Sequence, residues 1–273
     1  MCAARLTAVL AHPDDESLGV GGTLAKYASE GVEVFLLTAT RGDGGRFHGH
    51  RPGDAQHPGP DSLATIRENE LRAAASALGV REVALLDYRD QHLDRVDPQE
   101  AVSSIVEHLR RIKPDIVVTF GPEGAYGHPD HVAISQFTTA AIVAAADSGF
   151  RSNADAAPHV VSKLYYIAWP EPTWKAYQSA FRKLVSTIDG VERQATPWPD
   201  WAITTAIDTR PFWCTVWKAI CCHESQVSAY ESLQHLSPED HEALWGWQYF
   251  YRAFSIVNGG RARETDLLEG IRS

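Results

Sequence analysis

The stretch Leu6-Thr7-Ala8-Val9-Leu10-Ala11-His12-Pro13-Asp14-Asp15-Glu16 decides how this chain folds. Residues 6–11 form a short apolar run that is typical of a strand buried on both faces. The residues that follow are polar or charged except for Pro13, so the strand is expected to end there. Helical periodicity then covers residues 17–29 and stops at Gly31, a residue type that favours helix ends. The stretch therefore predicts a strand, a polar junction and a helix.

The same alternation of strand and helix continues through the first half of the chain. Apolar runs predict further strands at 32–38, 82–86 and 115–120. Helical patterns predict helices at about 61–78, 97–113 and 132–147. Asp61 or Ser62 is the predicted N-cap of the first of these helices, and Gly79 follows its end. We therefore predict an α/β fold with a Rossmann-like, doubly wound and mostly parallel sheet of order 3-2-1-4 plus added strands.

The second half of the chain is less regular. Strand-like runs at 161–169 and 202–208, a helical pattern at 210–226 and an aromatic run at 245–256 predict the added elements. We expect one domain over residues 1–273, with a core at 1–150, a substrate-side extension at 151–258 and a polar tail at 259–273. The tail is expected to be disordered or used in assembly. Tryptophan is enriched after residue 168, and core packing is favoured over a sugar-stacking platform as its explanation.

Composition limits the classes of function. Acidic residues number 35 against 25 Lys and Arg, and this balance of −10 argues against a nucleic-acid binder. No apolar run approaches the roughly 20 residues that a membrane-spanning helix needs, and the first residues lack a signal-peptide pattern. We therefore predict a soluble, cytoplasmic protein that binds neither nucleic acid nor membrane. A homo-oligomer is an open alternative to a monomer.

The four cysteines show no spacing typical of disulfides. Cys214, Cys221, Cys222 and His223 lie close together and offer the ligand types of a soft metal. They also lie in a helical stretch rich in apolar residues, where Cys usually behaves as a small buried hydrophobe. The second interpretation is favoured, and a His near the last turn of a helix is ordinary.

Chemically active side chains concentrate where two of the predicted strands end. His12-Pro13-Asp14-Asp15-Glu16 follows the first strand, and the segment 121–131, which contains Gly127-His128-Pro129-Asp130-His131, follows the fourth. In a sheet of order 3-2-1-4, strands one and four are neighbours, and a crevice opens at their carboxyl ends. Two segments that lie 116 residues apart, counted from His12 to His128, are therefore expected to meet.

The residue types in these segments predict a catalytic metal centre. Two imidazoles and one carboxylate leave an open position on a divalent ion, as in catalytic zinc sites, and Fe²⁺ suits the same ligands. The ion would activate water and polarise a carbonyl group, while a second carboxylate serves as general base. Asp14 and Asp15 offer both carboxylates, and their spacing does not assign them. No Ser or Cys has the context of a nucleophile.

Two further features are weaker. Gly19-Val20-Gly21-Gly22 lacks the spacing of a dinucleotide or phosphate loop, so we interpret it as close packing of the first helix. The connection at 41–61 is long for a compact domain and is expected to be mobile or functional. Its His48, His50 and His57 are more simply explained as solvated loop residues than as substrate contacts.

With these motifs in view, the chain resembles the LmbE-like, or PIG-L, family of zinc-dependent N-acetylglucosaminyl deacetylases, which includes the deacetylases of mycothiol and bacillithiol synthesis. The match starts at Ala11-His12-Pro13-Asp14-Asp15-Glu16 and Gly21-Gly22-Thr23-Leu24, and it continues through Thr40-Arg41-Gly42-Asp43-Gly44 and Arg67-Glu68-Asn69-Glu70-Leu71. Tyr126-Gly127-His128-Pro129-Asp130-His131 and His223-Glu224-Ser225-Gln226 complete it. Glu123-Gly124-Ala125 and the loop at 47–60 depart from the family pattern, and both flank the expected pocket.

The resemblance implies a reaction and a metal centre. His12, Asp15 and His131 would hold Zn²⁺, with Fe²⁺ as the alternative, and Asp14 would be the general base. The substrate would be a small molecule that contains N-acetylglucosamine, and the products an amine and acetate. Two alternatives stay open. The same centre could hydrolyse another bond, such as an S-conjugate amide, an amide of a natural-product intermediate or a phosphoester, or the chain could be a non-catalytic metabolite-binding relative.

The resemblance also implies roles for the residues around the metal. His128 would be a protonated partner that stabilises the oxyanion or donates to the leaving amine, and Asp130 would orient it. Tyr126 would lie over the acyl oxygen. Arg67 and Asp94 are the candidate substrate contacts of the sugar-binding pocket.

Overall fold

Most strands of the protein belong to one sheet. In the computed structural model, which describes residues 3–152, 156–181, 186–188, 191–194, 196–229 and 231–271, the strands are β1 (Arg5–Leu10), β2 (Glu33–Thr40), β3 (Glu82–Tyr88), β4 (Ile116–Phe120), β5 (Lys163–Ile167), β6 (Ser186–Ile188), β7 (Val191–Arg193), β8 (Thr205–Asp208) and β9 (Trp247–Ser255). Seven of them form a sheet of order β3-β2-β1-β4-β5-β9-β8, and β6 pairs with β7 separately. The predicted order 3-2-1-4 and the added strands are confirmed.

The parallel part of the sheet runs from β3 to β5, and β9 and β8 close it as antiparallel strands. Every side chain of β4 is buried, and so are all those of β1 except that of Arg5. Strands of this kind need cover on both faces, which the helices between them provide. The core therefore sits around the central pair of strands and fixes where their carboxyl ends lie.

The helices follow the strands as the sequence predicts. They are α1 (Asp15–Ser29), α2 (Pro60–Ala77), α3 (Pro98–Ile112), α4 (Gly124–Gly127), α5 (Pro129–Ala146), α6 (Glu171–Phe181), α7 (Trp213–Cys221) and α8 (Pro238–Trp245). Asp97 caps α3 by accepting a hydrogen bond from the N–H of Gln99 at 2.8 Å. In the described part of the chain, no helix has the length and apolar character that crossing a membrane requires.

Two local predictions about helices are wrong. Neither Asp61 nor Ser62 caps α2, because the helix already begins at Pro60, after Gly59 with a φ of +88°; proline fits the first helical position. The helix predicted at 210–226 is also broken. α7 ends at Cys221, and a separate 3₁₀ helix starts at Glu224 after a turn in which His223 points into the core.

The cysteines in and just after α7 do not fill the inward face of this helix. Cys214 and Cys221 are exposed and Cys222 is half-buried, because Val216, Ala219 and Ile220 fill the inward face of the helix. Close packing of the glycine-rich segment of α1 is confirmed, since a Cβ on Gly22 would lie 2.7 Å from the Cβ of Thr209.

Tryptophan side chains lie both in the core and on the surface. Trp245 is fully buried and Trp174 is 6% exposed, as core packing predicts, whereas Trp201 is 86% exposed. The enrichment of tryptophan in this half therefore has no single structural cause.

The polar tail is packed into the fold, contrary to expectation. Leu267 and Leu268 are buried, and Glu264 accepts a hydrogen bond from the ammonium group of Lys163 at 2.7 Å. Lys163 lies on β5 with no exposed surface, and it also donates to the carbonyl groups of Leu267 and Glu269. A buried ammonium needs such acceptors, so β5 orders the tail.

We expect Glu264→Ala to lower the free energy of unfolding by about 3–5 kcal/mol, because it leaves the charge of Lys163 buried without its carboxylate. Urea denaturation at neutral pH measures the loss. Glu30→Ala is the matched control: it removes the exposed pair with Lys26 and should cost less than about 1 kcal/mol. Equal losses in the two variants would contradict this account of the tail.

The stability that Glu264→Ala loses relative to the wild type should also become smaller in acid. Burial raises the pKa of Glu264, but hydrogen bonds from Lys163 and Asn258, among others, outweigh it and lower the pKa to about 2. The pKa of an unfolded Glu is about 4.3, so this stabilisation is complete above that pH and is lost as the pH falls through the native value. The wild type and Glu264→Ala should therefore converge in stability across that range, and a constant difference would count against the assignment.

Candidate functional site

Two junctions between a strand and a helix carry the candidate site. β1 ends at Leu10 and α1 begins at Asp15, while β4 ends at Phe120 and α5 begins at Pro129. β1 and β4 pair in parallel, so both junctions lie at the same edge of the sheet. The predicted meeting of the two segments is confirmed.

Three side chains from these junctions bring their ligand atoms together. His12 Nδ1 lies 3.2 Å from His131 Nε2, and the two carboxylate oxygens of Asp15 lie 3.3 Å from His131 Nε2 and 3.6 Å from His12 Nδ1. Ligands at about 2.0–2.2 Å from a tetrahedral ion are themselves roughly 3.3–3.6 Å apart. All three residues are buried. They therefore fit a divalent metal ion in both donor type and spacing.

The other nitrogen of His12 faces two carboxylates. Nε2 lies 3.1 Å from Asp90 Oδ1 and 3.1 Å from Asp130 Oδ2. Burial lowers the pKa of His12, but Asp90, Asp130 and Asp15 outweigh it and hold the pKa well above its usual value. With a metal ion at Nδ1, the single proton of His12 would lie on Nε2 and be held by these carboxylates, as is common for histidines that bind metals. Nδ1 of His12 is thereby directed toward His131 and Asp15.

The carboxylates of Asp90 and Asp130 form a second compact acidic set with His12. Asp130 already accepts hydrogen bonds from the N–H groups of Gln91 at 2.7 Å and Leu93 at 3.1 Å. Its remaining capacity is directed at His12, so this set is better described as support for the imidazole of His12 than as a metal site of its own. Asp90, which follows β3, was missed by sequence reasoning, although it also lies beyond the carboxyl end of a parallel strand.

The structure changes the expected role of Asp130. The resemblance makes its side chain the group that orients His128, but its carboxylate contacts His12 instead. The backbone N–H of Asp130, and not its carboxylate, donates to His128 Nδ1 at 3.2 Å. The reason is helical geometry, because His128 is the N-cap of α5 and accepts from the second residue of the helix.

Asp14 stands apart from the three clustered ligands. It is half-buried, and its backbone has a φ of +106°, which residues other than glycine rarely adopt. Arg67 donates to its carboxylate at 3.0 Å and to the carbonyl groups of Gly42 and Pro13. Arg67 is itself buried, so it lies behind Asp14 and fixes its carboxylate rather than lining the cavity.

His128 and Tyr126 lie close to the cluster, and Tyr126 lines the cavity beside it. The ring of His128 is 4.8 Å from that of His12 and 4.9 Å from that of His131. Burial and these two imidazoles lower the pKa of His128 to about 3, which favours its neutral form, whereas the resemblance implies a protonated partner. With Nδ1 accepting a backbone N–H, its proton sits on Nε2. Burial raises the pKa of Tyr126, which keeps its hydroxyl protonated.

A cavity of about 180 Å³ opens beside Asp14, Asp15 and His131. Tyr126 and the ring of Phe120 form part of its wall, and the C-terminal half of the chain adds apolar side chains. Trp169 and Tyr177 stack in this wall with ring centroids 4.5 Å apart. The cavity thus has one polar end, where the ligand atoms cluster, and an otherwise apolar lining.

Several predicted contacts lie elsewhere. Asp94 is exposed and lines a separate depression beside Glu123 and Gln136. His57 is bound to the backbone of its own loop, at Gly45 and Gly59. His48 and His50, like His57, are not among the residues that line the described cavity. The preference for loop residues over substrate contacts agrees with this placement.

Sequence reasoning missed one buried pair altogether. His223 Nε2 lies 2.8 Å from Glu16 Oε1, and neither side chain has more than 1% of its surface exposed. Burial lowers the pKa of His223, but the carboxylate of Glu16 outweighs it and raises the pKa. His223 was expected to be an ordinary residue at a helix end, and its inclusion in the motif His223-Glu224-Ser225-Gln226 was the available signal.

Comparison with known proteins agrees with this geometry. The family described as PIG-L, GlcNAc-PI de-N-acetylase, matches residues 7–142. The 1D-myo-inositol 2-acetamido-2-deoxy-alpha-D-glucopyranoside deacetylase of Kineococcus radiotolerans is 34% identical over 98% of this chain and 83% of its own length. The chain belongs to the PIG-L family. Another PIG-L relative with the same name, from Streptomyces avermitilis, is 33% identical over 98% of this chain and 97% of its own length.

Solved structures show the same fold. The N,N'-diacetylchitobiose deacetylase from Pyrococcus horikoshii has a TM-score of 0.67 at 22% identity, over 92% of this chain and 84% of that protein. The 4-carboxy-2-hydroxymuconate hydratase from Pseudomonas putida KT2440 also has a TM-score of 0.67, at 18% identity, over 95% of this chain and 100% of that protein. At such identities the likeness concerns the fold alone, and the two names show that the fold does not fix the reaction.

We expect the protein, dialysed after loading with Zn²⁺, to retain one ion per chain, and His131→Ala to lose it, because two of the three ligands hold an open site too weakly. Asp90→Asn should weaken the affinity roughly 10- to 100-fold, since it replaces the charged acceptor facing His12 with a neutral and weaker one. Elemental analysis measures the zinc content, and competition with a chromophoric chelator measures the affinity. His57→Ala is the control with wild-type metal content, and full retention of zinc by His131→Ala would exclude this ligand set.

Proposed function

We propose that this protein is a metal-dependent deacetylase that hydrolyses the acetamide of a small molecule containing N-acetylglucosamine. The observation that carries the proposal is the meeting of His12, Asp15 and His131 beside a further carboxylate, Asp14, at the polar end of a cavity. The relatives named as deacetylases of an inositol-linked acetamido sugar support this class of substrate. Zn²⁺ is the proposed metal, with Fe²⁺ as the alternative for the same ligands.

The metal supplies one part of the chemistry. Held by His12, Asp15 and His131, a divalent ion would polarise the acyl oxygen and make water a stronger nucleophile. Asp14, whose carboxylate accepts a hydrogen bond from Arg67 at 3.0 Å, would take the proton from the attacking water. Once protonated, its carboxyl group can pass this proton to the nitrogen of the leaving amine. Amide hydrolysis then needs only one group that alternates between base and acid.

Neutral donors complete the site. Burial lowers the pKa of His128, which favours the neutral imidazole with its one proton on Nε2. Burial raises the pKa of Tyr126, which favours the protonated hydroxyl. Both can donate to the oxygen that becomes negative when water adds to the acyl carbon. Fixed donors of this kind act strongly where water is excluded, which the apolar wall provides.

We also propose that the whole chain acts as one deacetylase unit. Residues 1–150 bring the ligands and Asp14, while residues 151–258 contribute Trp169 and Tyr177 to the cavity wall. The second half thus shapes the side of the cavity on which the acyl group or the sugar would rest.

The proposal is tested by amine release. The zinc-loaded protein is incubated with 1D-myo-inositol 2-acetamido-2-deoxy-α-D-glucopyranoside, N-acetylglucosamine and diacetylchitobiose, and free amine is detected with fluorescamine. We expect amine and an equal amount of acetate from at least the first compound. Absence of amine with every compound, or activity on phosphoesters alone, would refute the proposal.

Asp14→Asn should keep its zinc and lose roughly 10²- to 10⁴-fold in kcat, because the amide side chain cannot accept a proton. The same amine assay and elemental analysis measure both quantities. Asp61→Asn, at an exposed position in the first turn of α2, makes the same change in charge and should have wild-type kcat. Near-normal turnover by Asp14→Asn would remove it from the role of base.

His128→Ala should lower kcat roughly 10²- to 10³-fold, as the loss of one oxyanion donor does. Since the pKa of His128 is about 3, its protonation does not change between about pH 5 and 8. The ratio of wild-type to variant kcat should therefore be constant over that range. A ratio that falls as the pH rises past the usual histidine pKa would instead show that His128 acts as the imidazolium.

A further inference from the structure

A fully buried contact links the C-terminal half of the chain to the first metal-binding segment. His223 Nε2–H donates to Glu16 Oε1 at 2.8 Å, and Ser17 also donates to this oxygen. His223 has no exposed surface and Glu16 has 1%. A buried carboxylate that lost such a donor would be left incompletely paired. The contact therefore fixes the orientation of the Glu16 carboxylate.

The second oxygen of that carboxylate holds the backbone of Asp14. The N–H of Asp14 donates to Glu16 Oε2 at 3.0 Å. Asp14 has a φ of +106°, and a strained backbone of this kind persists only where its surroundings impose it. Arg67 acts on the carboxylate of Asp14, whereas Glu16 acts on its main chain. The two contacts are thus independent constraints on the same residue.

The position of His223 is itself fixed by contacts elsewhere. Ser225, two residues later, donates its N–H and its hydroxyl to Glu70 at 2.6 and 2.7 Å. Gln226 donates its side-chain amide to the carbonyl of Arg46 at 2.7 Å, and His48 donates its N–H to the carbonyl of Ser225 at 2.8 Å. The segment 223–226 is therefore anchored to α2 and to the loop at 41–61. These contacts hold His223 in a fixed position beside Glu16.

We propose that His223 is a positioning residue for the general base: through Glu16 it imposes the strained backbone of Asp14 and so aims the Asp14 carboxylate into the cavity. The inference rests on the proposed function, because it assigns Asp14 the role of base. It concerns placement alone, since His223 contacts neither a proposed ligand nor the cavity. Its loss should slow turnover while metal and substrate still bind.

A pair of amide variants isolates the contact. His223→Gln places an amide nitrogen near the position of Nε2 and can still donate to Glu16, whereas His223→Asn reaches only the position of Nδ1. We expect His223→Asn to lower kcat roughly 10- to 100-fold, as misplacement of a catalytic group by about 1 Å does. KM should change less than about threefold, and His223→Gln should recover most of the rate.

Controls separate placement from general damage. His241→Gln removes another buried histidine of the C-terminal half, one that bonds to the carbonyl of Leu233, and it should lower stability without lowering kcat. All variants are compared at equal zinc content. Crystal structures of the wild type and His223→Asn provide a readout besides activity, and φ of Asp14 should leave the region around +106° only in the variant.

Three outcomes would overturn the inference. They are unchanged kcat in His223→Asn, equal losses in the Asn and Gln variants, and an unaltered φ of Asp14 in the His223→Asn structure. A wild-type protein that releases no amine would refute the proposed function instead. In that event the crystallographic comparison still decides whether His223 imposes the conformation of Asp14.

Discussion

β1 and β4 lie side by side as parallel strands in the middle of the sheet, and the interior covers nearly all of their side chains. Because they run in the same direction, the polypeptide leaves both at one edge, and His12 and His131 approach to 3.2 Å there. One residue of a strand spans about 3.3 Å. A register shift of one residue would therefore move one ligand by the whole distance between the two nitrogens. The burial that fixes the register thus also fixes the site.

The site contains four aspartates, and each has different surroundings. Asp15 faces the imidazole nitrogens of His12 and His131. Asp130 accepts from backbone N–H groups and from His12, and Asp14 is paired with Arg67. Asp90 also faces His12, whose proximity outweighs burial and lowers the pKa of Asp90 to about 2. The surplus of negative charge suits a cation, and the different partners give the four carboxylates different environments.

Much of the fold and the centre of the site can be predicted from the sequence, because both depend on local signals. Apolar runs predict the strands, and the strand order then brings His12 and His131 together. The contacts that were missed have no such signal. Asp90 contacts His12 from the loop that follows β3, and Glu16 contacts His223, which lies 207 residues away in the sequence. The lowered pKa of His128 depends on its burial beside two other rings, which no spacing reveals.

The pairing of Lys163 with Glu264 has a consequence for the order of folding. Lys163 lies in the fifth strand of the sheet, and its carboxylate partner follows 101 residues later. Until that part of the chain has been synthesised, β5 can join β4 only by burying an uncompensated ammonium group. The edge of the sheet beyond β4 can therefore be sealed only after residue 264 has been synthesised. Such long-range closure slows folding and prolongs the exposure of a strand edge, which is when assistance from a chaperone would matter most.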